Sequence, residues 1–278
     1  MLDTGILGMI MTQEQWNALS AFKADFKKQI EKWAKDFPNL GDLQKQAALE
    51  AKTPEYSFER PVVYNTDLDR LTQDDEIKLI VIGDNPGKDE QLSKNQRYLV
   101  GQAGKIADGF FKRNPELGID FRKNVVILNK TPVHSAKTAQ LKRIAKLGGD
   151  EVAALLVESQ IWMAKKTAEL HRAFCQSCQG ASRSAAAGTD CELWLVGYSE
   201  LKEKALFTQY REALKQSIVQ ASLAQWDKVY VFQHFSMNRF TIDLADYEKA
   251  NGAALKNKSL IEKIHQLGTL HKTEIFGI

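Results

Sequence analysis

Residues 77–87 read I-K-L-I-V-I-G-D-N-P-G. The run 77–82 is compact and apolar and stops at Gly83, the pattern of a strand covered on both faces in a parallel sheet. The same texture returns at 124–128 (N-V-V-I-L), 192–196 (E-L-W-L-V) and 228–232 (K-V-Y-V-F). Helical patterns fill 103–113, 150–174 and 204–224, and a helix at 260–267 closes the chain. Strands alternating with helices predict an α/β domain in three layers, α/β/α, around a central four-stranded parallel sheet.

Upstream, the texture is helical. Thr12 opens a helix with Gln15 three residues on as its capping-box partner. Trp16, Leu19, Phe22, Phe26, Ile30, Trp33 and Phe37 follow at steps of three and four, and Pro38 ends the run. A short helix is expected at 43–51, followed by a loop or short strand up to about residue 71. The organisation read from this is an N-terminal helical extension, 1–59, packed on an α/β domain, 60–278.

Composition narrows the class. The 278 residues carry 38 Lys+Arg against 35 Asp+Glu, a formal charge of +3, which excludes a polycationic tail. Three cysteines are too few for a disulfide scaffold. No apolar run reaches the length of a membrane span. The opening MLDTGILGMIM lacks the basic stretch and cleavage pattern of a signal peptide, and Met11, directly before the helix cap, reads as an alternative start. The expected address is the cytoplasm, with no membrane contact.

In open α/β sheets, ligands bind outside the carboxyl ends of the strands. The first strand is followed by Gly83-Asp84-Asn85-Pro86-Gly87, the second by Asn129-Lys130-Thr131-Pro132-Val133-His134, and the fourth by Gln233-His234-Phe235-Ser236-Met237-Asn238-Arg239. Carboxylate, amide and imidazole groups are thus aimed at one cleft. Each fragment alone also fits an ordinary turn or a structural histidine. Their joint occurrence in this order is what singles them out.

Read together, these motifs resemble the uracil-DNA glycosylase superfamily. G-D-N-P-G with R-Y-L-V-G-Q-A-G (97–104) is similar to its first motif and the helix entry after it. V-V-I-L-N, ending at Asn129, is similar to its second-strand motif. H-F-S-M-N-R, from His234, is similar to its His-Pro-Ser motif and DNA-inserting loop. The resemblance covers roughly residues 60–278. It implies a monofunctional glycosylase that takes uracil or a related base out of DNA, with water as nucleophile and no cofactor. His234 would donate to the uracil O2 as negative charge grows there. Asn129 would read the O4 and N3–H edge. Asp84 and Asn85 compete for the water-positioning role. Gly83, Pro86, Gly87, Tyr98 and Leu99 would line the base. Lys130, Lys137, Ser236, Met237, Asn238 and Arg239 would meet DNA.

Three departures stand out. Leu99 holds the place of a base-stacking Phe, with Tyr98 beside it. Phe235 replaces the usual Pro. Asn238 stands where an apolar wedge is common, which makes Met237 the candidate for insertion. These motivate an alternative: a non-catalytic nucleic-acid-binding protein of the same fold.

Two features remain. From Phe121 to Gly149 the basic residues are Arg122, Lys123, Lys130, Lys137, Lys142, Arg143 and Lys146, with no acidic residue among them. Such a run suits phosphate contacts and equally a solvated face. His171, Cys175, Cys178 and Cys191 offer a donor set suited to tetrahedral zinc, or else unpaired, partly buried thiols. The four-cysteine spacing of the superfamily's iron–sulfur branch is absent.

Overall fold

The apolar run at 77–83 becomes the strand β1 (Leu79–Gly83), buried along its whole length. A computed structural model describes residues 11–175 and 190–277. In chain order its elements are α1 (Gln13–Asp36), α2 (Leu40–Glu50), β1, α3 (Gln102–Arg113), β2 (Val125–Asn129), α4 (Gln140–Phe174), β3 (Glu192–Val196), α5 (Thr208–Val219), α6 (Leu223–Trp226), β4 (Val229–Phe232), α7 (Arg239–Ala250), α8 (Gly252–Leu255) and α9 (Leu260–Phe276). The strands are all parallel, in the order β2-β1-β3-β4, and helices flank the sheet in three layers. The four strands match the sequence expectation to within two residues.

The strand order places the site. The chain leaves β1 for β2 on one side, then returns past β1 to β3 on the other. The crevice outside the carboxyl ends of β1 and β3 is therefore the topological switch point, where α/β folds bind ligands. In register, Gly83 pairs with Asn129. A side chain at Gly83 would press its Cβ to 2.5 Å from Asn129 Oδ1, so a larger residue there would displace the Asn129 amide.

Two helical groups build the layers. α4 packs on α1, α2 and α5. Around Trp194 of β3 gather Phe111, Phe232 and Phe240, at ring-centroid distances of 5.8, 4.9 and 5.9 Å. Leu19, Phe22, Phe26, Ile30 and Trp33 of α1 belong to the same apolar cluster as the strands. The Phe26 ring stacks on Trp162 of α4 at 5.6 Å, and Trp33 Nε1 donates to Glu158 Oε1 at 3.1 Å. The capping box of Thr12 and Gln15 is present. It satisfies two otherwise unpaired amides.

Helix boundaries differ more than strands. α4 breaks its helical geometry at Gly149 (φ 68°), so the part beyond the break, up to Phe174, is the helix expected at 150–174, and the turns from Gln140 to the break are the unexpected part. No side chain caps its first turn, so the usual start signal is missing. α7 was not expected; Phe240 and Leu244 bury one face of it. α9 runs on to Phe276, carried by buried Gly268, His271 and Ile275. Among the described residues, no helix is long and apolar enough to cross a membrane.

Candidate active site

Asp84 follows β1 and is mostly buried. Its Oδ1 lies 2.6 Å from Lys130 Nζ, and the Lys130 side chain is 0% exposed. The same ammonium donates to Val196 O at the end of β3, at 2.5 Å, and to Gly83 O, at 3.4 Å. The Phe207 ring lies 5.2 Å away. Lys130 thus lies buried at the switch point and joins the ends of β1, β2 and β3. This corrects the expectation that Lys130 touches DNA: a fully buried ammonium ringed by protein oxygens offers nothing to a phosphate. Gly197, directly after β3, has φ +97°, and a Cβ there would collide with the Asp84 carboxylate. The turn after β3 is therefore part of the site.

The two asparagines have different settings. Asn85 Nδ2 donates to Ser135 Oγ at 2.9 Å, to Pro86 O at 3.1 Å and to Ser135 O at 3.3 Å. Its amide nitrogen is spent on holding the loop after β2 against the loop after β1. Asn129 is 1% exposed, and its Nδ2 is buried without a hydrogen-bond partner among the described residues. A buried donor left unpaired costs about 1–3 kcal/mol, so the Asn129 amide is a place where a water or a ligand carbonyl would be held.

His234 follows β4. Its Nδ1 accepts the Ser236 backbone N–H at 3.0 Å, with Ser236 Oγ at 2.9 Å. That bond puts the proton of the neutral ring on Nε2. Burial pulls the His234 pKa down; the Asp84 carboxylate opposes this and the Lys130 ammonium adds to it. Asp84, Lys130 and His234 are therefore within electrostatic reach of one another. Beyond His234 the backbone is left-handed at Met237 (φ 52°) and Asn238 (φ 57°). This turn holds Met237 80% exposed, with Asn238 and Arg239 exposed beside it. Phe235 points the other way, into the core against Phe240.

The predicted base-lining residues of the 97–104 stretch are interior. Tyr98 is fully buried, with its hydroxyl on Val63 O at 2.6 Å; Leu99 is buried too, at φ 51°. Neither presents a face to a base in this structure, which corrects the stacking role expected of them. Sequence reasoning missed the residue that ties this stretch to the first motif. Glu90 accepts the backbone N–H of Leu99 at 3.0 Å and of Gly87 at 3.3 Å. Burial pushes its carboxyl up to about 8 against the pull of those two amides and Arg122. Its one sequence signal was an acidic residue three places after the G-D-N-P-G turn. Pro86 is held from below: His134 Nδ1 donates to its carbonyl at 2.9 Å, and Tyr56 O–H meets His134 Nε2 at 3.1 Å. Burial lowers His134 to about 4.

The basic run divides. Arg122 donates to Tyr98 O at 3.3 Å, Arg143 pairs with Glu50 at 2.9 Å, and Lys130 is interior. Lys123 is exposed but precedes β2, at the opposite end of the sheet. Lys137, Lys142 and Lys146, before and along the first turns of α4, remain exposed. The zinc set is not assembled among the described residues. His171 uses both ring nitrogens, Nε2 with Cys191 O at 3.0 Å and Nδ1 with Gln225 Nε2 at 3.2 Å. Cys178 lies outside the described residues. Compared with protein-family models, curated proteins and solved structures, the chain matches none.

Proposed function

We propose that this chain is a monofunctional DNA glycosylase that hydrolyses the N-glycosidic bond of uracil or a related base. The observation that carries the reading is the cluster at the strand ends. It gathers a carboxylate (Asp84), an unpartnered buried amide donor (Asn129 Nδ2) and an imidazole whose tautomer leaves an N–H free of its own loop (His234). In such a reaction the base leaves with the bonding electron pair, and the sugar carbon becomes cation-like. Asp84 faces that cation and takes the proton of the attacking water. His234 Nε2–H and Asn129 Nδ2–H donate to base carbonyls as charge grows there. Between the two rivals for the water, Asp84 is preferred because a carboxylate both faces the cation and takes a proton, whereas Asn85 has its Nδ2 on Ser135 and Pro86 and only its amide oxygen to offer. Lys130 Nζ faces three protein oxygens and no open surface, so it is not placed as a Schiff-base nucleophile. A cytoplasmic address and DNA as partner belong to the same proposal.

The burial of Asn129, Tyr98 and Leu99 favours a second reading, a nucleic-acid-binding protein of this fold without excision. One experiment separates the two. The protein is incubated with uracil-, hypoxanthine- and mismatch-containing DNA, and alkali then cleaves any abasic site. Strand cleavage that falls at least about a hundredfold in Asp84→Asn and His234→Ala supports the glycosylase. DNA binding without release from any substrate supports the second reading. Release that persists unchanged in both variants removes the site assignment.

A further inference from the structure

We infer that Lys130 is a positioning residue: its buried side-chain nitrogen, bridging the ends of β1 and β3, holds the Asp84 carboxylate in place. The inference rests on the glycosylase reading for its kinetic consequence but not for its geometry.

The argument starts from the cost of the arrangement. A lysine with no exposed side-chain surface loses its hydration, and a protein recovers that only with near-complete hydrogen bonding and an opposite charge. Lys130 has both: Asp84 Oδ1 at 2.6 Å, Val196 O at 2.5 Å and Gly83 O at 3.4 Å. These acceptors belong to two adjacent strands, so the ammonium sits at a point fixed by the sheet. Asp84 is held from two sides, by this ammonium and by the close approach of the Gly197 backbone. Only one of its oxygens is taken by Lys130, and the other is left to orient a water. His234, at the end of β4, completes the set of titratable groups in electrostatic contact with the pair. A purely structural fastening of two strand ends needs no charge; a neutral donor would join two carbonyls. The charge gains its meaning from the carboxylate, and the carboxylate stands at the switch point.

The test uses the full chain with Lys130→Met and Lys130→Gln. In single-turnover base release, both variants should slow by about a hundredfold, the effect of a displaced catalytic group. Affinity for a non-cleavable substrate analogue should change less than about threefold. Slowing matched by an equal loss of affinity, or no slowing, overturns the inference. Lys130→Gln keeps a donor in the crevice and answers the question if Lys130→Met does not fold. A crystal structure of either variant gives a readout that needs no activity: Asp84 should leave its position beside Gly197. An unmoved carboxylate overturns the inference. If the wild type releases no base, the glycosylase reading fails on its own, while the crystal structure still decides the role of Lys130.

Discussion

Phe235 directly follows His234, yet its buried ring lies 4.9 Å from Phe240 and 6.4 Å from Phe121. It belongs to the core rather than to the site. Phe235→Ala should therefore cost about 3–5 kcal/mol in denaturant unfolding, the range for a deleted core aromatic. Asn85 sets a contrast with Asp84. Asn85→Ala removes a loop-to-loop fastening, and single-turnover release should fall by less than about tenfold, against a hundredfold or more for Asp84→Asn. Equal losses would return the water-positioning role to Asn85. At this scale Asp84 and His234 were legible because a residue directly after a buried strand has few directions to point. Lys130 was not, since in the sequence it is one more cation in a basic run. Nothing local says that its side chain turns inward.

The turn at 236–238 is the element that carries the most exposed chemistry. Two consecutive non-glycine residues in left-handed backbone cost about 1–2 kcal/mol each. That strain keeps an apolar side chain in solvent, where it gains nothing for the fold. Met237→Ala should leave the unfolding midpoint within about 0.5 kcal/mol of wild type, as exposed positions do. Binding to duplex DNA, measured by fluorescence anisotropy, should weaken at the same time. A variant that binds as tightly as wild type removes Met237 from the DNA interface. The helices show the limits of reading elements from sequence. α1 announced itself through its cap and its apolar stripe. The expected helix at 150–174 is the part of α4 beyond the Gly149 break; the turns before it have no capping side chain to signal them, and α7 follows directly on a polar turn.

For the whole molecule, two predictions concern charge. His134 and His171 are both lowered to about 4 by burial. The unfolded chain takes up these protons near pH 6.5, whereas the folded chain holds them off until about 4. Between those values the unfolded state binds more protons, so stability falls as pH falls, by about 3 kcal/mol for each histidine. Urea midpoints measured from pH 7 to pH 4 should trace that decline, and a flat profile would refute it. Binding to DNA should weaken with salt. Lys137, Lys142, Lys146 and Arg239 are exposed. If all four meet phosphates, the slope of log affinity on log salt is about −3 to −4. Replacing the three lysines by alanine should reduce its magnitude by about 3. An unchanged slope would put the phosphate path elsewhere.

The sequence by itself determined the sheet, because four apolar runs too short for buried helices and separated by helical periods leave only a parallel α/β arrangement. It also determined which residues stand at the strand ends, since those positions follow from where each run stops. Tertiary structure alone decided the strand order, and with it the crevice between β1 and β3. It turned Lys130 inward onto Asp84, committed Asn85 Nδ2 to Ser135, and left Asn129 Nδ2 without a partner among the described residues. The reason is physical. Burial and pairing of a polar group depend on neighbours brought together across tens of residues, and local sequence carries no record of them.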